Sequence, residues 1–193
     1  MQADFGVELG ADDEVLELPW AWEAVRYYDL KRHPDLMALV EEAQRIPELR
    51  SFLVAMNSPA GILESAKCDV WASRDLSAEE EIFGAEWKFG SYVDLLFSSP
   101  AMRFSFAAHE DFAKRLSEVL KRVPEIPAQA ELLVRRCFYA DAGDGYGFYI
   151  TFYLFGYGND EPSARRQWAI ALKLVENAIR QLSPRAPRPA EGY

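Results

Sequence analysis

Two stretches of this chain repeat each other, and that repetition restricts the fold more than any other feature. Phe89-Gly90-Ser91-Tyr92-Val93-Asp94 matches Tyr146-Gly147-Phe148-Tyr149-Ile150-Thr151 as aromatic, Gly, any residue, Tyr, aliphatic, short polar. The helical stretches that follow match at a shift one residue shorter: Phe112 with Trp168, Ala113 with Ala169, Leu116 with Leu172, Val119 with Val175 and Val123 with Ile179. Upstream, Lys67-Cys68 matches Arg136-Cys137. Periodicity asks only for apolar residues at fixed spacings, not for a shared Gly-x-Tyr or a shared cysteine. The pattern therefore predicts a β-β-α unit used twice. Burial then sets the class: α+β, with a mainly antiparallel sheet of four or slightly more strands and two long helices on one face.

The remaining segments fit around that core. Phe5 to Leu9 and Val15 to Leu18 alternate weakly, so one or both read as short strands. Trp20 to Tyr28 reads as a short helix, and His33-Pro34 opens another, with proline in the first turn where its missing N–H costs nothing. Pro47 starts a third helix carrying Leu49, Phe52, Leu53 and Met56. Ser77 to Glu81 reads as a capped helical turn. Ser105 to Arg122 is a helix whose pairs Glu110–Lys114, Asp111–Arg115 and Glu118–Arg122 mark a solvated side. Asp141 to Gly145 is a hairpin loop between strands over Glu131–Ala140 and Tyr146–Phe155. Asp160 caps the last helix, and Pro184 stops it. The organisation is an acidic, mainly helical segment over 1–60 packed on the same domain, a core over 61–183, and a Pro-rich tail over 184–193.

Charge narrows the partners. The chain carries 21 Lys and Arg against 31 Asp and Glu, a net charge of −10. Binding by phosphate neutralisation is disfavoured, so nucleic acid is not an expected partner; nor is an anionic lipid surface. No apolar run is long enough to span a bilayer, and the first residues lack the basic and apolar regions of a secretory leader. The expected address is the cytoplasm. With 2 cysteines and 2 histidines there is neither a disulfide scaffold nor a zinc motif, and no cofactor is expected.

Parity along the strands separates two faces. Trp87, Phe89, Val93, Leu95 and Phe97 belong to the face that meets the long helices. The other face collects Asp69, Trp71, Tyr92, Asp94, Tyr149, Thr151 and Tyr153. It mixes aromatic rings with carboxylates, so it suits neither bulk water nor a dry core. These residues are the candidate ligand-binding set, and the N-terminal helices are expected to cover part of the face and leave a cleft.

Each chemical constellation has a simpler structural reading. Cys68 and Cys137 have the residue types of a redox pair, yet in a reduced compartment they read as small buried hydrophobes. His109-Glu110-Asp111 looks like a base with carboxylates, but His109 shares its stripe with Phe112, Ala113 and Leu116. Asp69 and Asp94 could be an acid–base pair or half of a hard-metal site; cross-strand pairing with Lys67, Lys88, Arg135 or Arg136 explains them more simply. Gly143 to Gly147 precedes a strand rather than a helix, so it is a hairpin turn and not a phosphate loop. The sequence thus points to a non-catalytic module that binds a small ligand or a peptide in an aromatic-lined cleft on the sheet. The alternative is a homodimer assembled through the last helix, whose apolar arc includes Ile170 and Leu174. A hydrolase or isomerase using Asp69 and Asp94 comes third.

Overall fold

Period-two alternation builds four long strands: β3 (Leu63–Ser73), β4 (Trp87–Phe97), β5 (Ala128–Tyr139) and β6 (Gly145–Gly158). In the computed structural model, which describes residues 1–10, 15–20, 26–123, 125–140 and 145–183, two further strands join them. These are β1 (Gln2–Glu8) and β2 (Leu16–Leu18). The sheet is six-stranded, with path β1-β5-β6-β4-β3 and β2 also on β5. The pairs β3–β4, β4–β6 and β5–β6 are antiparallel, whereas β1 and β2 both run parallel to β5. The sheet is therefore mixed and six-stranded: the four long strands pair antiparallel as expected, and the two N-terminal strands add parallel pairs. A parallel edge pairing between residues 2–8 and 129–135 is a long-range event with no local turn to announce it.

The helices are α1 (Glu41–Arg45), α2 (Pro47–Met56), α3 (Pro100–Arg103), α4 (Phe106–Leu120) and α5 (Glu161–Leu182). Their ends follow local chemistry. Ser105 accepts the Ala108 N–H at 3.2 Å at the start of α4. Asp160 accepts the Ser163 N–H at 2.7 Å while the Ser163 hydroxyl accepts the Asp160 N–H at 3.2 Å, a capping box that starts α5. Short 3₁₀ turns cover Pro34–Leu39 and Glu80–Phe83. Residues 20 and 26–28 are not helical, so the short helix expected there does not form over them. Residues 21–25, the loop 141–144 and the tail from 184 lie outside the described residues.

One face of the sheet carries all the larger helices. Trp168 of α5 packs on Phe89 at 5.0 Å and Phe112 of α4 on Phe97 at 5.5 Å. Phe52 of α2 meets Phe152 of β6 at 6.0 Å, and Ala43 of α1 belongs to the same core cluster. This corrects the expected layering: α2 lies beside α5, α1 lies beside α2, and neither roofs the opposite face. Their apolar stripe fixes that they are buried, but not on which side of the sheet. It also accounts for the broad apolar arc of α5, which contacts both α2 and α4. Ile170, at 45% exposure, is the large apolar side chain that α5 leaves in the open, and Leu174 is partly covered.

The order β-β-α occurs twice, as β3-β4 then α4 and β5-β6 then α5. Asp94 and Thr151, which the sequence match aligns with each other, are direct cross-strand partners. The cysteine match does not follow the ladder. Cys68 lies opposite Val93, Cys137 lies opposite Gly147, and the match of Gly147 is Gly90, which faces Trp71. Pairing is unbroken from Cys68 to Ser73, so the structural counterpart of Cys137 is Trp71, three residues beyond Cys68.

Candidate functional site

Among the described residues, the face away from the helices is closed at its two ends and open in its middle. At one end Leu18 and Trp20 join Leu96, Cys137, Tyr139 and Tyr149 in a second, smaller apolar cluster. At the other end Phe83 stacks on Tyr157 at 4.1 Å. Beneath it Glu80 takes hydrogen bonds from Ser77 N at 2.6 Å, from Lys88 Nζ at 2.9 Å and from the Tyr157 hydroxyl at 2.9 Å. Burial pushes the Glu80 carboxyl up, but these donors outweigh it and hold the group below its usual range.

Between the two ends lies an aromatic cluster. Trp71 meets Phe155 edge-on at 6.0 Å, Tyr92 meets Tyr153 at 5.9 Å, and Tyr153 stacks beside Phe155 at 6.3 Å. All of these rings are partly exposed. Gly90 makes the Trp71–Phe155 contact possible, because a Cβ there would stand 2.8 Å from the indole and 3.0 Å from the phenyl ring.

The structure therefore divides the candidate set by depth. Asp69, Trp71, Tyr92 and Tyr153 reach solvent, while Asp94, Thr151 and Tyr149 are buried. The Thr151 hydroxyl donates to Asp94 Oδ1 at 2.7 Å, and Arg135 Nη1 reaches the same hydroxyl at 3.4 Å. Burial pushes the Asp94 carboxyl up to about 6, against the pull of Thr151, Lys67 and Arg135. Tyr92 is pushed up to about 12, by burial first and then by the charges of Asp94 and Asp69, so it stays a neutral donor. Arg135 is held by Glu8, at 3.1 Å from Nε and 2.7 Å from Nη2. Asp69 and Asp94 are diagonal neighbours on adjacent strands, and no hydrogen bond joins them; Asp69 instead accepts the N–H of Val70 at 2.7 Å.

The competing constellations resolve structurally. Cys68 and Cys137 sit on strands separated by β4 and β6, about 14 Å apart across the sheet, and they are offset along it as well, since Cys68 shares its row with Leu132 rather than Cys137. They also point to opposite faces, and burial pushes both thiols up to about 12. They form no redox pair. His109 is fully buried, its Nδ1 is 2.8 Å from the Ser105 carbonyl, and its ring packs on Phe97 at 4.7 Å. Burial lowers its pKa, so it is a neutral core histidine. Among the described residues no three His, Cys, Asp or Glu side chains converge as a metal site would need, and no helix is long and apolar enough to cross a membrane.

A cleft of about 490 Å³ does exist, but beside the face rather than on it. It runs along the free edge of β3 and is walled by Trp20, Tyr28, Glu42, Lys67 and Cys68, and Tyr92 is the candidate residue that lines it. Sequence reasoning missed Phe155 and Glu131, although both have the right parity for the open face; Phe155 lies two residues beyond Tyr153, and Glu131 alternates with Leu133 and Arg135. It missed Asp4 and Glu8 because only the parallel β1–β5 pairing brings them there.

None of the family models, curated proteins or solved structures compared with the chain matches it.

Proposed function

We propose that this protein is a non-catalytic binding module whose contact surface is the open middle of the sheet, around Trp71, Tyr92, Tyr153 and Phe155. The observation that carries this reading is the joined, partly exposed aromatic cluster on the face that the larger helices leave uncovered. Large rings left partly in water gain by being covered, and Trp and Tyr are the residues that most often dominate contact energies. Asp69 borders the cluster; Asp94, Thr151 and Tyr149 support it from below. Asp94 is 5% exposed and bound to Thr151, an arrangement that suits holding the face in register better than moving protons to a substrate. We read the two β-β-α units as a duplication centred on the Asp94–Thr151 pair, with the binding face beside that centre.

The test is protein NMR with a library of ring-bearing fragments. Fragment hits perturb the amides of residues 69–72, 91–93 and 152–155 together with the Trp71 indole N–H. Hits confined to the cleft along β3, or to the exposed sides of α4 and α5, would overturn the assignment.

A further inference from the structure

We infer that the occupant of this face is a basic segment of another protein, one that lays an arginine or lysine across Tyr92 and Tyr153. The inference rests on the binding-face reading above and adds the chemistry of the partner. The register aligns Asp69, Tyr92, Tyr153, Glu131 and Asp4 in one row across β3, β4, β6, β5 and β1. Residues directly opposite one another share a face, so two tyrosines lie side by side with carboxylates on either flank. Asp69 and Glu131 stand about 14 Å apart, three strand spacings, and the tyrosine pair fills the gap.

The charges on this face do not cancel. Arg135 is taken by Glu8 at 2.7 Å, Lys88 by Glu80 at 2.9 Å, and Lys67 is set against Asp94 and over the Trp20 ring at 4.8 Å; at the β1 edge Lys121, from the end of α4, reaches round to Asp4 at 3.1 Å. Among the described residues neither Asp69 nor Glu131 forms an ion pair. Glu131 is raised by its own burial and then by the neighbouring charge of Glu8, which outweigh Arg135. A cation arriving over the tyrosines would meet the ring of Tyr92 and, beside the Arg135 guanidinium that already stands 5.9 Å from the Tyr153 ring centre, the remaining rim of that ring, with a carboxylate at each end that a guanidinium can take by charge-assisted hydrogen bonds.

The alternatives fit less well. A second copy of the chain on the same face would set acid rows against acid rows, each on a molecule of net charge −10. A nucleic acid or an anionic headgroup meets the same repulsion. The row spans about 19 Å from β3 to β1, and its length along the strands is bounded by the Trp20 cluster and by Phe83. A patch of that size takes one hairpin or one helix of a partner, not a whole domain face.

The experiment uses the full chain and two displayed libraries of disulfide-closed hairpin peptides of equal length. One varies over Arg, Lys, Tyr, Ser and Gly, the other over Asp, Glu, Tyr, Ser and Gly. The expected result is binders from the basic library whose Kd rises at least tenfold between 50 and 300 mM salt. They weaken at least tenfold on Tyr153→Ala, and the double variant Asp69→Asn with Glu131→Gln weakens them and flattens the salt dependence. The isosteric double variant keeps the test decisive should Tyr153→Ala fail to fold. If the basic library gives no binder that depends on the tyrosines or on these carboxylates, the inference is overturned. Tyrosine-dependent binders from the acidic library would then preserve the binding face and reject only the charge of its occupant. Binders insensitive to Tyr92→Ala and Tyr153→Ala would reject the face itself.

Discussion

On the open face, burial works against the charged form of Asp94. It lies opposite Thr151, which donates to it at 2.7 Å, and burial pushes its carboxyl up to about 6. The consequence for stability follows from linkage. Below about pH 4 the group is protonated in folded and unfolded chains alike, and it imposes no penalty. Between about 4 and 6 the unfolded chain ionises while the folded one keeps its proton, so stability falls as pH rises through that window. Above it the penalty is constant, up to about 3 kcal/mol for a shift of this size. Asp94→Asn keeps an acceptor for Thr151 and removes the titration. Urea unfolding of both proteins at pH 4 and pH 7 checks this. The variant gains on the wild type by about 1 to 3 kcal/mol between the two pH values, and an unchanged difference would mean that Asp94 ionises in the fold as freely as in the unfolded chain. The position of Asp94 on this face was legible from strand parity. Its burial was not, because that depends on Lys67, Arg135 and Tyr149 arriving from three other stretches of chain.

The contact between α5 and the sheet is closer than side chains alone would allow. At Gly156 of β6 a Cβ would stand 2.2 Å from the Trp168 backbone nitrogen and 2.5 Å from the Ala164 carbonyl oxygen. The helix backbone therefore rides directly on the strand, and this lets Trp168 reach Ser91, to which its indole N–H donates at 2.8 Å. Gly156→Ala meets backbone on both sides, where no rotamer change brings relief, and costs about 3 kcal/mol in chemical denaturation. A loss under about 1 kcal/mol would mean that α5 can shift along the sheet without cost. The long elements were legible here for physical reasons. Alternation marked β3, β4, β5 and β6, the 3.6-residue stripe marked α4 and α5, and Ser105 and Asp160 marked their starts. Gly156 was not, since a glycine within a strand gives no sign of whether it answers a bulge, a turn or a close-packed backbone. The cysteine match failed for a similar reason: the long connection over 74–86 and the short one over 140–144 leave the residues opposite the two matched glycines unspecified by sequence.

At the scale of the whole molecule, the described residues fold into one helix layer over one mixed sheet and leave the second sheet face partly bare. The sequence carried the contents of that bare face but not its bareness, because the stripe on α2 would bury equally well on either side. The arrangement also gives the N-terminal strand an outsized role. β1 lies on the edge of β5, Ala3 is 1% exposed within the main core, and α4 packs over the strand. Its outer residues bring Glu8 to Arg135 and Asp4 to the acid row. Deleting residues 1–9 strips the β5 ladder over Gln129–Arg135, leaves Arg135 without its carboxylate and opens the floor beneath α4. A loss of about 3 kcal/mol is expected, a fall in Tm of roughly 10 °C for a domain of this size. The exposed edge should also make the shortened chain associate as its concentration rises. A synthetic peptide of residues 1–10 added in trans restores the melting temperature, because parallel pairing with β5 needs no covalent turn. The same peptide with Ala3 replaced by Asp does not, since it would bring a charge into the core. A shortened chain that melts within 2 °C of the full one would show that β1 is an ornament on the sheet and that the acid row ends at Glu131.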